Sequence, residues 1–278
     1  GTLFGVHTLL STALAPHVPA LLFPVYAYAQ GALFLHVASL ARGRMPSTAW
    51  KALVSWPASA FLAGTFLAFP WAIAGAFTPV TSTLWLPYAA AVLGALDSFM
   101  LRSKDVHVTL DGALVERLAR HPHGDRRVEN PLRIVQISDP HLGSFMSEAR
   151  LRAVCERAVA SDPDLVLITG DLLTVESNKA GGEMLARALA PLKALEGRVF
   201  ACMGNHDHEA PRAVAYALAS VGATLLVDDM ATVELAQGPV EVVGYDFRWG
   251  DRGRHLASVS ARFPRRAGVM RVAMLHDP

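Results

Sequence analysis

Arg133–His141 (RIVQISDPH), Asp164–Asp171 (DLVLITGD) and Val199–Asp207 (VFACMGNHD) decide how this chain is read. Each is a short, β-prone apolar run that ends in polar residues: Ser138-Asp139-Pro140-His141, Thr169-Gly170-Asp171 and Gly204-Asn205-His206-Asp207. Taken singly, an Asp after a strand is commonly a turn residue or a helix cap. Three such strings in order, spaced like successive βα units, place carboxylate, imidazole and carboxamide groups just past the carboxyl ends of strands, where open α/β sheets carry their chemistry.

The segments between these strings alternate accordingly. Glu148–Ala160 presents Leu151, Val154, Cys155, Ala158 and Val159 on one helical face, with Ser147 as its cap. Helices are expected over Glu183–Leu195 and over Pro211–Val221, the latter stopped by Gly222. Ala223–Val227, Thr232–Leu235, Val240–Val243 and Val269–Leu275 read as closely spaced strands. This order predicts an α/β domain with a more β-rich second portion.

The rest of the chain is different in kind. Of 278 residues 52% are hydrophobic and only 18% charged, and the excess is concentrated at one end. No Asp, Glu, Lys or Arg precedes Arg42, and none lies between Lys51 and Asp97. Ala52–Phe77 is long enough to cross a bilayer, Leu84–Leu101 is nearly so, Ala20–Ala41 is a further candidate, and residues 2–15 resemble the remainder of another, giving about four spans. Residues 1–101 are therefore expected to form a multi-pass transmembrane region, 102–132 a connector and 133–278 the soluble domain. Arg42, Arg44 and Lys51 fall in one connection and Arg102 and Lys104 follow the last span, while the connections near Pro16–Pro19 and Thr78–Thr81 carry no charge. The positive-inside rule then puts the soluble domain on the cytoplasmic face of the membrane. The few ionisable candidates, His7, His17 in an expected loop, His36 and Asp97 near an interface, argue for an anchor rather than an ion path. His121 and His123 lie among arginines in a Pro/Gly-containing stretch and read as solvated linker. The net charge of +1 gives no broad positive face for nucleic acid. Cys155 and Cys202 form no metal-type spacing and read as small buried apolar residues.

The strand-end residues suit a pair of divalent metals. Asp139 and His141, two apart on an extended stretch, could reach one ion from the same side. Gly170 lets Asp171 approach closely, and its two oxygens could bridge two ions, while Asn205 adds a neutral oxygen. Two metals held about 3.5–4 Å apart activate water and clamp phosphoryl oxygens during in-line attack. His206 suits protonation of a leaving oxygen, and Asp207 is expected to orient His206 by a hydrogen bond.

Asp139-Pro140-His141, Gly170-Asp171, Gly204-Asn205-His206-Asp207 and the later His276 resemble the calcineurin-like metallophosphoesterases, from about Arg133 to the end. The resemblance implies a four-layer αββα sandwich around a dinuclear centre of manganese, iron or zinc. By that likeness Asp139, His141 and Asp171 bind the first metal, and Asp171, Asn205 and His276 the second. The spans in front resemble the membrane-associated bacterial branch that acts on phosphodiesters, lipid precursors included. The implied activity is that of a membrane-anchored phosphoesterase, in its narrower form a phosphodiesterase of lipid-linked or small substrates. A nucleotide phosphodiesterase and an inactive membrane sensor or scaffold are the competing readings. The family's final Gly-His-x-His motif has no counterpart here, so the chain reads as truncated, and as written it is expected to bind metal weakly. The branch that cleaves UDP-diacylglucosamine carries Arg where His206 stands, which argues against that assignment and leaves open a related membrane-bound form with the same duty. Arg248, Trp249 and Arg252, in a basic, aromatic loop with Phe247 and Arg254, could grip an anionic lipid.

Overall fold

The computed structural model describes residues 2–43, 45–100, 104–106, 132–174 and 181–277. Four parallel strands, β1 (Ile134–Ile137), β2 (Leu165–Thr169), β3 (Val199–Cys202) and β4 (Thr224–Leu225), form one sheet in the order β1-β2-β3-β4. β2 and β3 are buried at every position, which is why both read as unbroken apolar runs rather than alternating ones. A second sheet joins β5 (Asp229–Leu235), β6 (Gly238–Gly244) and β7 (Met270–Met274). β5 and β6 pair antiparallel across a two-residue turn, and β7 runs parallel to β6.

Packing fixes the layers. Glu148–Ala160, Gly181–Leu189 and Pro211–Ala219 lay Leu151, Cys155, Leu185, Leu189, Val214 and Leu218 on one face of the first sheet, against Val166, Ile168 and Ala201. The opposite face, through Leu165, Leu167, Phe200 and Cys202, meets Val240 and Val242 of the second sheet. A helix at Arg252–Arg262 covers the far side of that sheet, where Val259 and Leu256 pack on Val243 and Tyr245. The order is helices, sheet, sheet, helix.

Ser147 caps the first of these helices as expected, its Oγ accepting from Arg150 N at 3.2 Å. The expected helix over 183–195 is different: it stays α-helical only to Leu189 and continues as a 3-10 segment, Ala190–Leu195. Pro191 has no N–H for the carbonyl of Arg187, and that carbonyl instead accepts from Arg152 Nη1 at 3.2 Å. The strand expected over 223–227 shortens to Thr224–Leu225. The helix at Arg252–Arg262, the crossover that a parallel β6–β7 pair requires, was not foreseen; Val259 is its one buried residue.

Among its described residues the regular elements of the amino-terminal region are helices: Thr2–Leu14, Phe23–Leu40, Thr48–Leu67 with a π turn at Lys51–Ser55, Phe69–Gly75 and Trp85–Ser98. The single span expected over Ala52–Phe77 is instead bent by 55° between Thr48–Leu67 and Phe69–Gly75. Pro70 causes the break, since it cannot donate to the carbonyl of Phe66 and its ring clashes there. Among the described residues no single helix is long and apolar enough to cross a membrane, while this bent pair passes by length and composition together. Leu33, Ala58 and Phe61 hold the helices together, and Gly64 lets Tyr88 approach so closely that a Cβ there would stand 2.4 Å from its ring. The connector histidines His121 and His123 lie outside the described residues.

This region meets the α/β domain at the loop between β1 and the helix at Glu148. Lys51 Nζ donates to Gly143 O at 3.2 Å, Trp56 Nε1 to Ser144 O at 3.1 Å, and Arg150 Nη2 to Ser98 O at 2.7 Å. The rings of Phe99 and Phe145 lie 5.6 Å apart beside them.

Candidate metal centre

The ends of β1, β2, β3 and β7 converge. Asp171 is the centre of the cluster and is nearly fully buried. Its Oδ2 lies 3.4 Å from His141 Nε2 and 3.4 Å from His276 Nε2. Asp139 Oδ1 lies 3.9 Å from the same atom of His141 and 3.8 Å from that of His276. Two three-donor groups result, His141–Asp171–His206 and Asp139–Asp171–His276, with the ligand atoms of each within 4.8 Å of one another and Asp171 common to both.

The donor set fits divalent ions on its own chemistry. Among the described residues the ion-pair partners of Asp139 and Asp171 are all histidines, with no Lys or Arg to neutralise them. A buried carboxylate without a cation is costly. His276 Nδ1 donates to the carbonyl of Thr169 at 2.9 Å, which leaves the lone pair of the neutral ring on Nε2, facing both carboxylates.

Backbone geometry makes the convergence possible. Asp139, His141 and Asp171 all have positive φ, at 50°, 45° and 54°. The extended path expected for Asp139-Pro140-His141 is thus a left-handed one, costing roughly 1–2 kcal/mol per residue and turning the side chains in towards β2. Strain of this kind gathers where a site over-determines the backbone. The loops after β2 and β3 touch backbone to backbone: a Cβ on Gly170 would stand 2.6 Å from Gly204 N, and one on Gly204 would stand 2.2 Å from Asp171 Oδ1. Only glycine fits at either place.

Asp207 does not orient His206 as expected. The 3-10 turn Asp207–Glu209 directs its carboxylate inward, where Oδ1 accepts from Leu172 N at 2.8 Å and Leu173 N at 3.4 Å, and Oδ2 from Gly204 N at 3.0 Å. It ties the β2 and β3 loops together. Burial pushes its carboxyl up from the ordinary carboxylate range, and those backbone donors oppose the shift. The residue that holds His206 is Glu209, whose Oε1 stands 2.9 Å from Nδ1, and His206 N donates to Asp171 Oδ1 at 2.9 Å. Glu209 escaped the sequence reading although its i,i+3 spacing on a tight turn was the available signal. His206 also lies edge-on to His141, with centroids 5.3 Å apart.

The donor groups differ from the expected ones: His206 joins His141 and Asp171 in the first, and Asp139 stands with Asp171 and His276 in the second. Asn205 occupies the turn after β3, half-buried. Among the suggested substrate contacts, Arg252 is engaged, its Nη2 2.7 Å from Asp277 Oδ2 and its guanidinium 5.4 Å from the centroid of Phe247. Phe247 in turn lies 6.0 Å from the His276 ring. Arg248 is half exposed beside Asp246, and Trp249 is 83% exposed at the rim. Burial pushes the thiols of Cys155 and Cys202 up to about 12, which leaves both inert.

Residues 132–256 match the calcineurin-like phosphoesterase family model. The chain is 37% identical over 102 residues to the UDP-2,3-diacylglucosamine pyrophosphatase LpxG of Chlamydia muridarum, covering 36% of this chain and 27% of that protein. To the protein of the same name from Chlamydia trachomatis it is 35% identical over 133 residues, 46% of this chain and 36% of the relative. A transmembrane protein with metallophosphoesterase domain from Danio rerio is 35% identical over 79 residues, 28% and 17% of the two chains. The chain thus spans about a quarter to a third of the length of the two chlamydial relatives.

Proposed function

We propose that this protein is a membrane-associated, metal-dependent phosphodiesterase acting on a lipid-linked phosphodiester or pyrophosphate. The carrying observation is the pair of three-donor groups that share the buried Asp171, whose ion-pair partners among the described residues are histidines alone. The layer order fits the four-layer αββα sandwich of the calcineurin-like family. Asp139, His141, Asp171, Asn205 and His276 would hold two divalent ions (manganese, iron or zinc), which polarise phosphoryl oxygens and draw a nucleophile from water.

The chain's own groups do the rest. Thr169 O keeps the proton of His276 on Nδ1 and its Nε2 available. Glu209 Oε1, 2.9 Å from Nδ1, holds the His206 ring, and His206 is assigned to proton transfer to the leaving oxygen rather than to a metal ion. Asp207 fixes the relative height of the two loops that bear Asp171 and Asn205. Arg248, Trp249 and Arg252 flank the approach with cationic and aromatic surface suited to an anionic headgroup. Lipid linkage is supported by the chlamydial relatives, whose names give a diacylated substrate, and by the apolar helices joined to the site. Membrane association, with the catalytic domain on the cytoplasmic face, is supported by the uncharged stretches before Arg42 and between Lys51 and Asp97 and by the basic residues that flank them.

Hydrolysis of bis(p-nitrophenyl) phosphate by the detergent-solubilised protein, with manganese or with EDTA, tests the reading. Turnover that needs manganese and is lost in Asp171→Asn supports it; turnover indifferent to EDTA, or its absence with every divalent metal, overturns it.

A further inference from the structure

The helical region contains a pocket of about 360 Å³, within the size of small-molecule sites. Tyr26, Ala29, Pro57, Ala60, Phe61 and Trp85 are among the residues that line it. The polar groups of its aromatic lining are spent on the protein itself. Tyr26 Oη donates to Ser11 O at 2.7 Å, Tyr28 Oη to Leu53 O, and Trp85 Nε1 to Ser82 O at 3.1 Å, while Tyr88 Oη pairs with Thr65 Oγ1 at 3.2 Å. None of these hydroxyls or N–H groups is turned to a guest. A cavity so lined favours hydrocarbon over water.

Its position relates it to the metal centre. The turn Lys51–Ser55 and the residue after it face both ways: Lys51 and Trp56 bond Gly143 and Ser144, two and three residues after His141, while Leu53 O receives the pocket's Tyr28. Pro57, in the pocket wall, directly follows Trp56. Three residues of chain span at most about 11 Å, so the pocket wall begins close to the loop that carries a metal donor.

We propose that this pocket takes one acyl chain of the lipid-linked substrate whose phosphate is bound at the metal centre, and so selects long-chain over short-chain phosphodiesters. The inference rests on the phosphodiesterase reading above, and its test has an arm independent of turnover. The probes are p-nitrophenyl phosphodiesters bearing a 14-carbon or a 2-carbon alkyl group, and tetradecylphosphonate as a non-hydrolysable ligand, with the full chain in detergent. Ala60→Phe and, from the opposite helix, Ala29→Phe fill the pocket at positions that are only partly buried. The wild type is expected to favour the long-chain diester by tenfold or more in kcat/KM. Each variant should abolish most of that preference through KM and leave the short-chain diester unchanged. Tetradecylphosphonate should bind the wild type saturably and each folded variant at least tenfold more weakly. A preference that survives both variants, equal losses on both diesters, or unchanged phosphonate binding overturns the proposal and leaves the pocket to bulk membrane lipid. If no diester is hydrolysed, the phosphodiesterase reading fails, and the phosphonate isotherms alone decide whether the pocket takes an acyl chain.

Discussion

Replacing Gly204 by Ala probes the centre with a single methyl group. Gly204 does not have positive φ, so alanine meets no backbone penalty there. The obstacle is steric: the new Cβ would stand 2.2 Å from Asp171 Oδ1, 2.4 Å from Asp171 N and 2.9 Å from Asp171 Cγ. Ordinary contact begins near 3.4 Å, so the Asp171 carboxylate or the whole β2 loop must retreat by about 1 Å. Metal ligands tolerate errors of only about 0.2 Å, and a displacement of about 1 Å near reacting groups costs about 100-fold. Because Asp171 belongs to both donor groups, one methyl should weaken both. Overpacking should also cost about 1–3 kcal/mol of stability. Manganese binding followed by electron paramagnetic resonance, with thermal melts of the metal-free protein alongside, reads the two effects separately. The expected result is a folded variant with manganese affinity down by about 100-fold. A folded Gly204→Ala protein that binds manganese as the wild type does would refute the argument that Asp171 is the shared ligand held by this close approach.

Asp207→Ala should lower stability by about 2–4 kcal/mol, because it leaves the N–H groups of Gly204, Leu172 and Leu173 unmatched in the interior; urea denaturation measures it, and a loss below about 0.5 kcal/mol would contradict the role. Glu209→Ala should reduce kcat about tenfold with little change in fold, since it frees the His206 ring; steady-state kinetics beside a circular dichroism spectrum checks this. Glu241 is 1% exposed in β6 and accepts from Arg266 and Arg271, which hold its carboxyl below the ordinary range. The stability it contributes is therefore complete above about pH 4.3 and is lost as pH falls through the lower folded value; melting temperatures taken down the acid range should show the wild type's lead over Glu241→Gln shrinking there.

How far the fold could be read from sequence follows from what each element buries. β2 and β3 are covered on both faces, and their unbroken apolar runs announce them. The helix at Arg252–Arg262 has a single fully buried residue, Val259, so no apolar period marks it. The long apolar stretch before residue 78 gave composition but not shape, because Pro70 acts through a missing N–H rather than through hydrophobicity. Within the site, residue types at the strand ends pointed to Asp139, His141, Asp171, His206 and His276, which the fold brings together. The roles of Asp207 and Glu209 depend on the direction of the 3-10 turn that holds both, and neighbouring positions on such a turn point opposite ways. Left-handed backbone at Asp139 and His141 is likewise a tertiary demand, imposed by the need to turn towards Asp171.

The most direct measurement is the manganese bound by the folded protein and by Asp171→Asn in equilibrium dialysis against saturating manganese, quantified by mass spectrometry of the metal. Two manganese ions per chain in the wild type and none bound by Asp171→Asn are predicted, since both donor groups share that carboxylate. A variant that keeps the wild-type complement would contradict the account.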